Sequence, residues 1–409
     1  MIFLLAWILV ASSIFLSAFY YAVYRAKSGS ISKSFETPDE WPSVSILVPA
    51  YNEESVVGDS LENLLSIGYP DLNVIFVDDA STDSTLKKAR EFEDDSRLEI
   101  VALDKNRGKA GALNAGLEHT ESELTAVQDA DSVIEEEVLK TAVSRIEAEE
   151  ETGAVIARIM PLKRNSFVRK LQVVEYMMTN FHRKLMSVVD ILDITPGAFS
   201  IYQTEDLKDL GGFDVGNLTE DQDMAWRLRK KGRSIKMVYN VKSNTELPSN
   251  FRDLKGQRVR WARGYMYNLR KHSDILFSSE YGWFSRFHVP VQFIVALVSV
   301  AGLGLIGYGF LESMFNFLIT VSTVGFTFSI PQMNLAEALL SFQWKIYTPL
   351  FLGFFVTGAL VKEAYTESGR NIEHAGGLMF YFFAFFLVKA VFWSTAIFKE
   401  LFSSTKAWT

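Results

Sequence analysis

Apolar residues are bunched at the two ends of the chain, while its middle alternates short apolar runs with charged stretches. Residues Met1–Tyr24 carry no charge, a length able to cross a hydrocarbon core about 30 Å thick. Arg25, Lys27 and Lys33 follow this run instead of preceding it. That order argues against a cleaved secretion signal and places the N-terminus outside, with the middle of the chain in the cytosol. Phe287–Phe310, Tyr347–Val361 and Leu378–Phe398 predict further spans. Lys389 lies inside the last of these, where a charge is expected to face other helices or a wet path instead of lipid. Phe315–Ile330 is shorter, dotted with Ser and Thr, and ends at Pro331; it fits a short span, a re-entrant piece or an interfacial helix. If it does not cross, the 362–377 loop is cytosolic and the C-terminus lies outside.

Between the ends the period changes. Val44–Pro49, Leu72–Val77, Leu98–Leu103 and Leu124–Val127 read as buried strands. Asn52–Ile67, Ser81–Phe92 and Lys109–Leu117 between them have helical spacing. This alternation predicts an α/β, Rossmann-like domain with a mostly parallel sheet and helices on both faces, joined to an α-helical transmembrane bundle. Ligands of such sheets bind beyond the carboxyl ends of the strands. The expected layout is a transmembrane helix over 1–25, a cytosolic domain over 42–245, interfacial helices over 246–285 and a membrane bundle over 286–409. Within the domain, 165–187 carries an apolar stripe of Phe167, Leu171, Val174, Met178, Phe181 and Leu185 flanked by Arg and Lys, which predicts a helix lying in the membrane interface.

Composition narrows the function. The net charge of −8 over 409 residues disfavours a general nucleic-acid binder. With no cysteine, disulfides, thiol catalysis and cysteine-ligated metals are excluded. No Gly-x-Gly-x-x-Gly follows the first strand and no phosphate-binding P-loop motif is present.

The candidate chemistry is acidic and sits at strand ends. Asp129 and Asp131 flank Ala130 after the fourth strand, and in extended chain both point to one side. Such a pair suits a hard divalent cation, or else a solvated loop. Asp78 and Asp79 end the second strand; they suit a base imide and a ribose hydroxyl, or else begin the turn that Ser81 caps. Lys109, at a helix start, favours an anion such as a diphosphate, or is a plain surface Lys. Asp221, beside Glu220, can be a general base or an acidic helix start. Gln257, Arg260 and Trp261 share a helix face in a basic segment, suited to diphosphate and a sugar ring, or to anionic lipid.

In order along the chain, Pro49 to Glu53, Asp78 to Ser81, Gly108 to Asn114, Asp129 to Asp131, Thr195 to Gly197, Gly211 to Asp214, Thr219 to Asp221, and Gln257 with Arg260-Trp261 resemble family 2 membrane glycosyltransferases. That group includes hyaluronan, cellulose, chitin and poly-N-acetylglucosamine synthases. The resemblance implies a UDP-sugar donor, with UDP-N-acetylglucosamine or UDP-glucose favoured. It places Pro49, Tyr51, Glu53, Asp78 and Asp79 at the nucleoside, and Lys109, Asp129, Gln257 and Arg260 at the donor. Asp131 would hold Mg2+ or Mn2+, and Asp221 with Glu220 would supply the base. Trp261 and Gly197 would meet the acceptor. One base without a second nucleophile implies inversion, giving a β-linked polysaccharide made processively with export at the plasma membrane. The single run before the domain departs from the several spans of many polymer synthases. It also resembles the ceramide glucosyltransferase layout, so one sugar added to a lipid acceptor is the alternative.

Overall fold

The computed structural model describes residues 2–31, 35–326, 344–369, 381 and 385–402. The four expected strands form as β1 (Val44–Ala50), β2 (Leu72–Asp78), β3 (Leu98–Ala102) and β4 (Leu124–Val127). They pair in parallel in the order β3-β2-β1-β4. The helices between them, α2 (Val57–Leu65), α3 (Thr85–Ala89) and α4 (Gly108–Glu118), are shorter or shifted relative to their apolar patterns.

The other half of the sheet departs from the mostly parallel expectation. β7 (Ser200–Gln203), which leads into the short helix α7 (Thr204–Asp209), pairs antiparallel to both β4 and β6 (Thr152–Pro161). β5 (Ser132–Ile134) pairs antiparallel to β8 (Ser234–Thr245). β6 and β8 run parallel. The sheet is therefore mixed. β5 and β7 are three and four residues long, too short to leave a periodic signal.

One face of the sheet packs Ile46, Val74 and Phe76 against α2 and α5 (Glu137–Glu147). The other packs Leu47, Ile75 and Tyr202 against α4, α8 (Glu220–Lys230) and α9 (Phe251–Lys271). Each fully buried aliphatic or aromatic side chain contributes about 1.5–3 kcal/mol before chain entropy opposes it.

α6 (Phe167–Val188) is the helix expected over 165–187. Most of its stripe is covered by protein. Val174, Met178, Phe181 and Leu185 are buried against Leu360, Val361 and Ala364 of the Trp344–Glu367 helix and against Tyr20 and Tyr24 of α1 (Ile2–Ile31). Only Phe167 of the stripe stays largely exposed, at 63%. The apolar pattern reports burial equally well whether protein or lipid does the covering.

α10 (Val289–Val324) corrects the expectation of a separate piece beginning at Phe315. Residues 315–324 are not a separate piece but the end of one continuous helix of 36 residues, about 54 Å long at 1.5 Å per residue. No proline interrupts it between Pro290 and its end, and isolated glycines cost a helix too little to break it. Residues 327–330 lie outside the described residues. Among the described residues, Phe284–Val324 is the one stretch long and apolar enough to cross a membrane. The expected 378–398 span is described as a helix over Phe385–Phe402.

Candidate active site

The first wall of the site comes from the ends of β1 and β2. Ala50 and Asp78 are register partners, so the two following loops lie side by side. Asn52 and Ala80 both take positive φ, near 57° and 59°. Hydrogen bonds from Thr82 N to Asn52 Oδ1 at 2.8 Å and from Asn52 N to Ser81 Oγ at 3.0 Å hold those turns together. Asp78 and Asp79 are both buried. Asp78 accepts from Ser81 N at 3.1 Å, and its other oxygen has no partner among the described residues. Asp79 accepts from Arg107 N at 2.6 Å, tying β2 to the start of α4. Tyr51 is 46% exposed at the rim. Glu53 reaches toward the next acidic group. Burial, with the charges of Asp131, Asp129 and Asp83, pushes its carboxyl up to about 7.

The second wall is the end of β4. Asp129 N donates to Gly197 O at 2.8 Å, which brings the Thr195-Pro196-Gly197 turn against the acidic pair. A Cβ on Gly197 would fall onto Lys109 Nζ and the Asp129 carboxylate, so a side chain there would displace that pair. Lys109 forms an ion pair with Asp129 and a second, at 3.4 Å, with Glu220. Burial works against its charge, but those carboxylates outweigh it and raise its pKa. Asp131 accepts from Ser132 Oγ and Thr245 Oγ1, each at 3.1 Å. Burial and the neighbouring Asp129 charge raise its pKa. This crowding of hard oxygen donors at Asp131 fits a divalent cation, because added positive charge there relieves the repulsion.

α8 supplies the third wall, and its acidic start divides by partner. Asp223 is fully buried and bound by Arg227, Lys271 and His272, a structural ion cluster. Glu220 faces Lys109. Asp221 is half-buried, and its carboxylate accepts from Gln222 N at 2.8 Å, with no side-chain partner among the described residues. Thr195 Oγ1 donates to its carbonyl at 2.7 Å and so fixes its position against the Gly197 turn. Burial, then Glu220, raises the Asp221 pKa.

α9 closes the site. Asn250 caps it by accepting from Asp253 N at 3.0 Å. Gly264 lets it approach α8, since a Cβ there would collide with Thr219. Arg260 donates to Leu218 O at 2.9 Å. Trp261 is 36% exposed, with the Arg258 guanidinium 4.1 Å from its ring centre.

These walls enclose a cavity of about 460 Å³. Lys109, Asp129, Asp131, Gly197, Glu220, Asp221, Gln257, Arg260 and Trp261 all line it. Pro49, Tyr51, Glu53, Asp78 and Asp79 do not; they form the neighbouring loops at the carboxyl edge of the sheet. Sequence reasoning missed a set of lining residues on α6: Glu175, Tyr176, Thr179 and Arg183. Their signal was present as polar positions four apart, Glu175, Thr179 and Arg183, on a helix otherwise read for its apolar stripe. It also missed Arg258, between the motif residues, which donates to Glu175 through Nε at 3.2 Å and Nη2 at 2.9 Å.

Residues 45–211 match the profile described as glycosyl transferase family 2. A poly-beta-1,6-N-acetyl-D-glucosamine synthase of Staphylococcus epidermidis is 31% identical over 54% of this chain and 54% of its own length. The protein of that name from Staphylococcus aureus strain COL is 25% identical over 61% of this chain and 60% of its own. The chain thus spans little more than half the length of the curated relatives it matches. Among solved structures, a mannosyltransferase from Pyrobaculum calidifontis in complex with GDP-Man and Mn2+ has a TM-score of 0.62 at 20% identity, covering 99% of this chain and 100% of that one. At that identity the likeness shows the fold. Glu220, Asp221 and the α9 residues fall after the matched segment, yet they complete the cavity that it begins. Residues 45–211 thus match the glycosyl transferase family 2 model, on a mixed sheet that shares the fold of the mannosyltransferase.

Proposed function

We propose that the chain is an inverting glycosyltransferase that moves a sugar from a nucleotide-diphosphate donor to an acceptor hydroxyl. The observation that carries this reading is the isolation of Asp221. It is a half-buried carboxylate without a side-chain partner among the described residues, in a cavity that it shares with Lys109 and Trp261. In that position it takes the proton of the attacking hydroxyl. Lys109, kept charged by Asp129 and Glu220, offsets negative charge at the diphosphate, as does Arg260. Trp261 offers an aromatic surface to a sugar ring, with Gly197 leaving room beside it. Glu53, Asp79 and Tyr51, at the sheet edge, suit the nucleoside. A single base implies one displacement, so an α-linked donor yields a β-linked product.

Asp131 and its neighbour Asp129 would hold Mg2+ or Mn2+. Bound there, the ion would supply Lewis-acid neutralisation of the leaving diphosphate. The Mn2+ in the mannosyltransferase complex supports this assignment.

The names of the synthase relatives favour UDP-N-acetylglucosamine as donor and a growing β-linked polysaccharide as acceptor. UDP-glucose is the next choice. We place the protein in the plasma membrane, catalytic domain in the cytosol and N-terminus outside, on the strength of the long apolar Phe284–Val324 stretch and the positive charges that follow Tyr24. Incubating purified protein with labelled UDP-N-acetylglucosamine and Mg2+ or Mn2+, then sizing the product, tests the reading. Long chains support processive synthesis. A single sugar on an extracted lipid supports the second reading, favoured by a cation on the acceptor side of the cavity.

A further inference from the structure

That cation is Arg183. Each other arginine or lysine lining the cavity has a partner among the described residues. Lys109 has Asp129 and Glu220, Arg258 has Glu175, and Arg260 has the Leu218 carbonyl. Arg183 lines the same cavity with a buried Nη1 that has no hydrogen-bond partner among the described residues. Leaving a buried charged donor unanswered is costly, and a ligand that answers it recovers the cost. The nearby carboxylates are committed elsewhere. Asp193 is held by His288 at 3.2 Å and by Gln292 at 3.1 Å, and Asp221 is the base.

The location separates Arg183 from the donor. The diphosphate side of the cavity is built from strand ends and α4, where Lys109, Asp129 and Asp131 lie. Arg183 comes from α6, whose opposite face packs on α1 and the Trp344–Glu367 helix. Thr179 and Glu175 precede it on the same lining face, leading toward Arg258 and Trp261. An anion meeting Arg183 therefore arrives on the side away from the strand ends, where the acceptor must approach Asp221.

We infer that Arg183 binds an anionic group, a phosphate or a carboxylate, carried by the acceptor. This rests on the transferase reading and extends it to the class of acceptor. A guanidinium suits either group through paired N–H donors. A phosphate would come from a lipid-phosphate acceptor, a carboxylate from an acidic sugar chain.

The test compares kcat/KM of the full-length protein for three acceptors: a polyprenyl phosphate in detergent micelles, an oligosaccharide ending in a uronic acid, and a neutral N-acetylglucosamine oligosaccharide. The wild type should favour one anionic acceptor over the neutral one. R183Q should lower kcat/KM for that acceptor by about ten- to hundred-fold, the usual range for a lost charged hydrogen bond, and should barely change the neutral one. R183K should recover part of the loss. Donor affinity and slow donor hydrolysis, measured on each variant, report folding and the transferase reading separately. If wild-type protein neither binds nor hydrolyses any nucleotide sugar, the transferase reading fails and the acceptor assignment falls with it. If donor use is normal, a wild type that prefers the neutral acceptor overturns the inference. So does an R183Q loss that is equal for all three.

Discussion

At the scale of single residues, the site depends on which carboxylates have partners. Asp223 and Asp221 are two positions apart on α8, yet one is locked by Arg227, Lys271 and His272 and the other is left to act. The raised pKa of Asp221, about 6, has a definite consequence. A base works only when deprotonated, and this carboxyl takes up its proton at a higher pH than an ordinary aspartate. kcat/KM should therefore be level above that value and fall about tenfold per pH unit below it. A profile that stays level down to the ordinary carboxylate range would remove Asp221 as the titrating base. Asp131 makes a separate claim. Asp131→Ala should raise the donor KM and shift the Mg2+ or Mn2+ requirement to higher concentration, because the diphosphate loses its neutralising partner. Wild-type activity that persists undiminished in excess chelator would contradict a metal-dependent site.

At the scale of elements, legibility followed the strength of the local pattern. β1, β2 and β4 are apolar runs that stop at Pro-Ala, Asp-Asp and Asp-x-Asp, so both their positions and the crevice at their ends could be read directly. β5 and β7 could not, because three or four residues carry no period, and the mixed character of the sheet went with them. The polar face of α6 was hidden for another reason. Its apolar stripe is the stronger signal, and amphipathicity tells only that two environments exist, not that one of them is an active site. Asp78 and Asp79 were legible as a pair at a strand end, but their burial is visible only in the fold. The close packing of α9 on α8 at Gly264 is equally invisible without coordinates. Gly264→Ala should press a methyl group into Thr219, displace α9 with Trp261, and reduce transfer more than it reduces donor binding. Equal loss of the two would show that the contact serves folding in general.

At the scale of the whole molecule, the catalytic domain sits on helices rather than beside them. α1, α6 and the Trp344–Glu367 helix share one apolar cluster, and Lys184 pairs with Glu367 at 2.6 Å. The Phe385–Phe402 helix joins α9 through a cluster that includes Leu254, Val259, Phe392 and Ala396, and Glu400 binds Arg263 at 2.8 Å. Lys389 on that helix is exposed, 5.1 Å from the Phe385 ring centre and 6.0 Å from that of Tyr381. These contacts couple the residues behind the active site to helices at both ends of the chain. The proposed orientation puts Ser368, one residue past the end of its helical run, in the cytosol. A cysteine at Ser368 in intact cells should resist an impermeant thiol reagent and react after permeabilisation. Labelling before permeabilisation would reverse the orientation proposed for the domain.

The central claim is that Asp221 is the base of a sugar-transfer site. The most direct measurement is the transfer rate of Asp221→Asn at saturating donor and acceptor, taken with its donor affinity. The substitution keeps the shape of the side chain and removes its capacity to accept the proton. The account expects transfer to fall by about 10²- to 10⁴-fold, the usual contribution of a positioned base, while the donor dissociation constant stays close to that of the wild type. Near wild-type turnover by Asp221→Asn would contradict it.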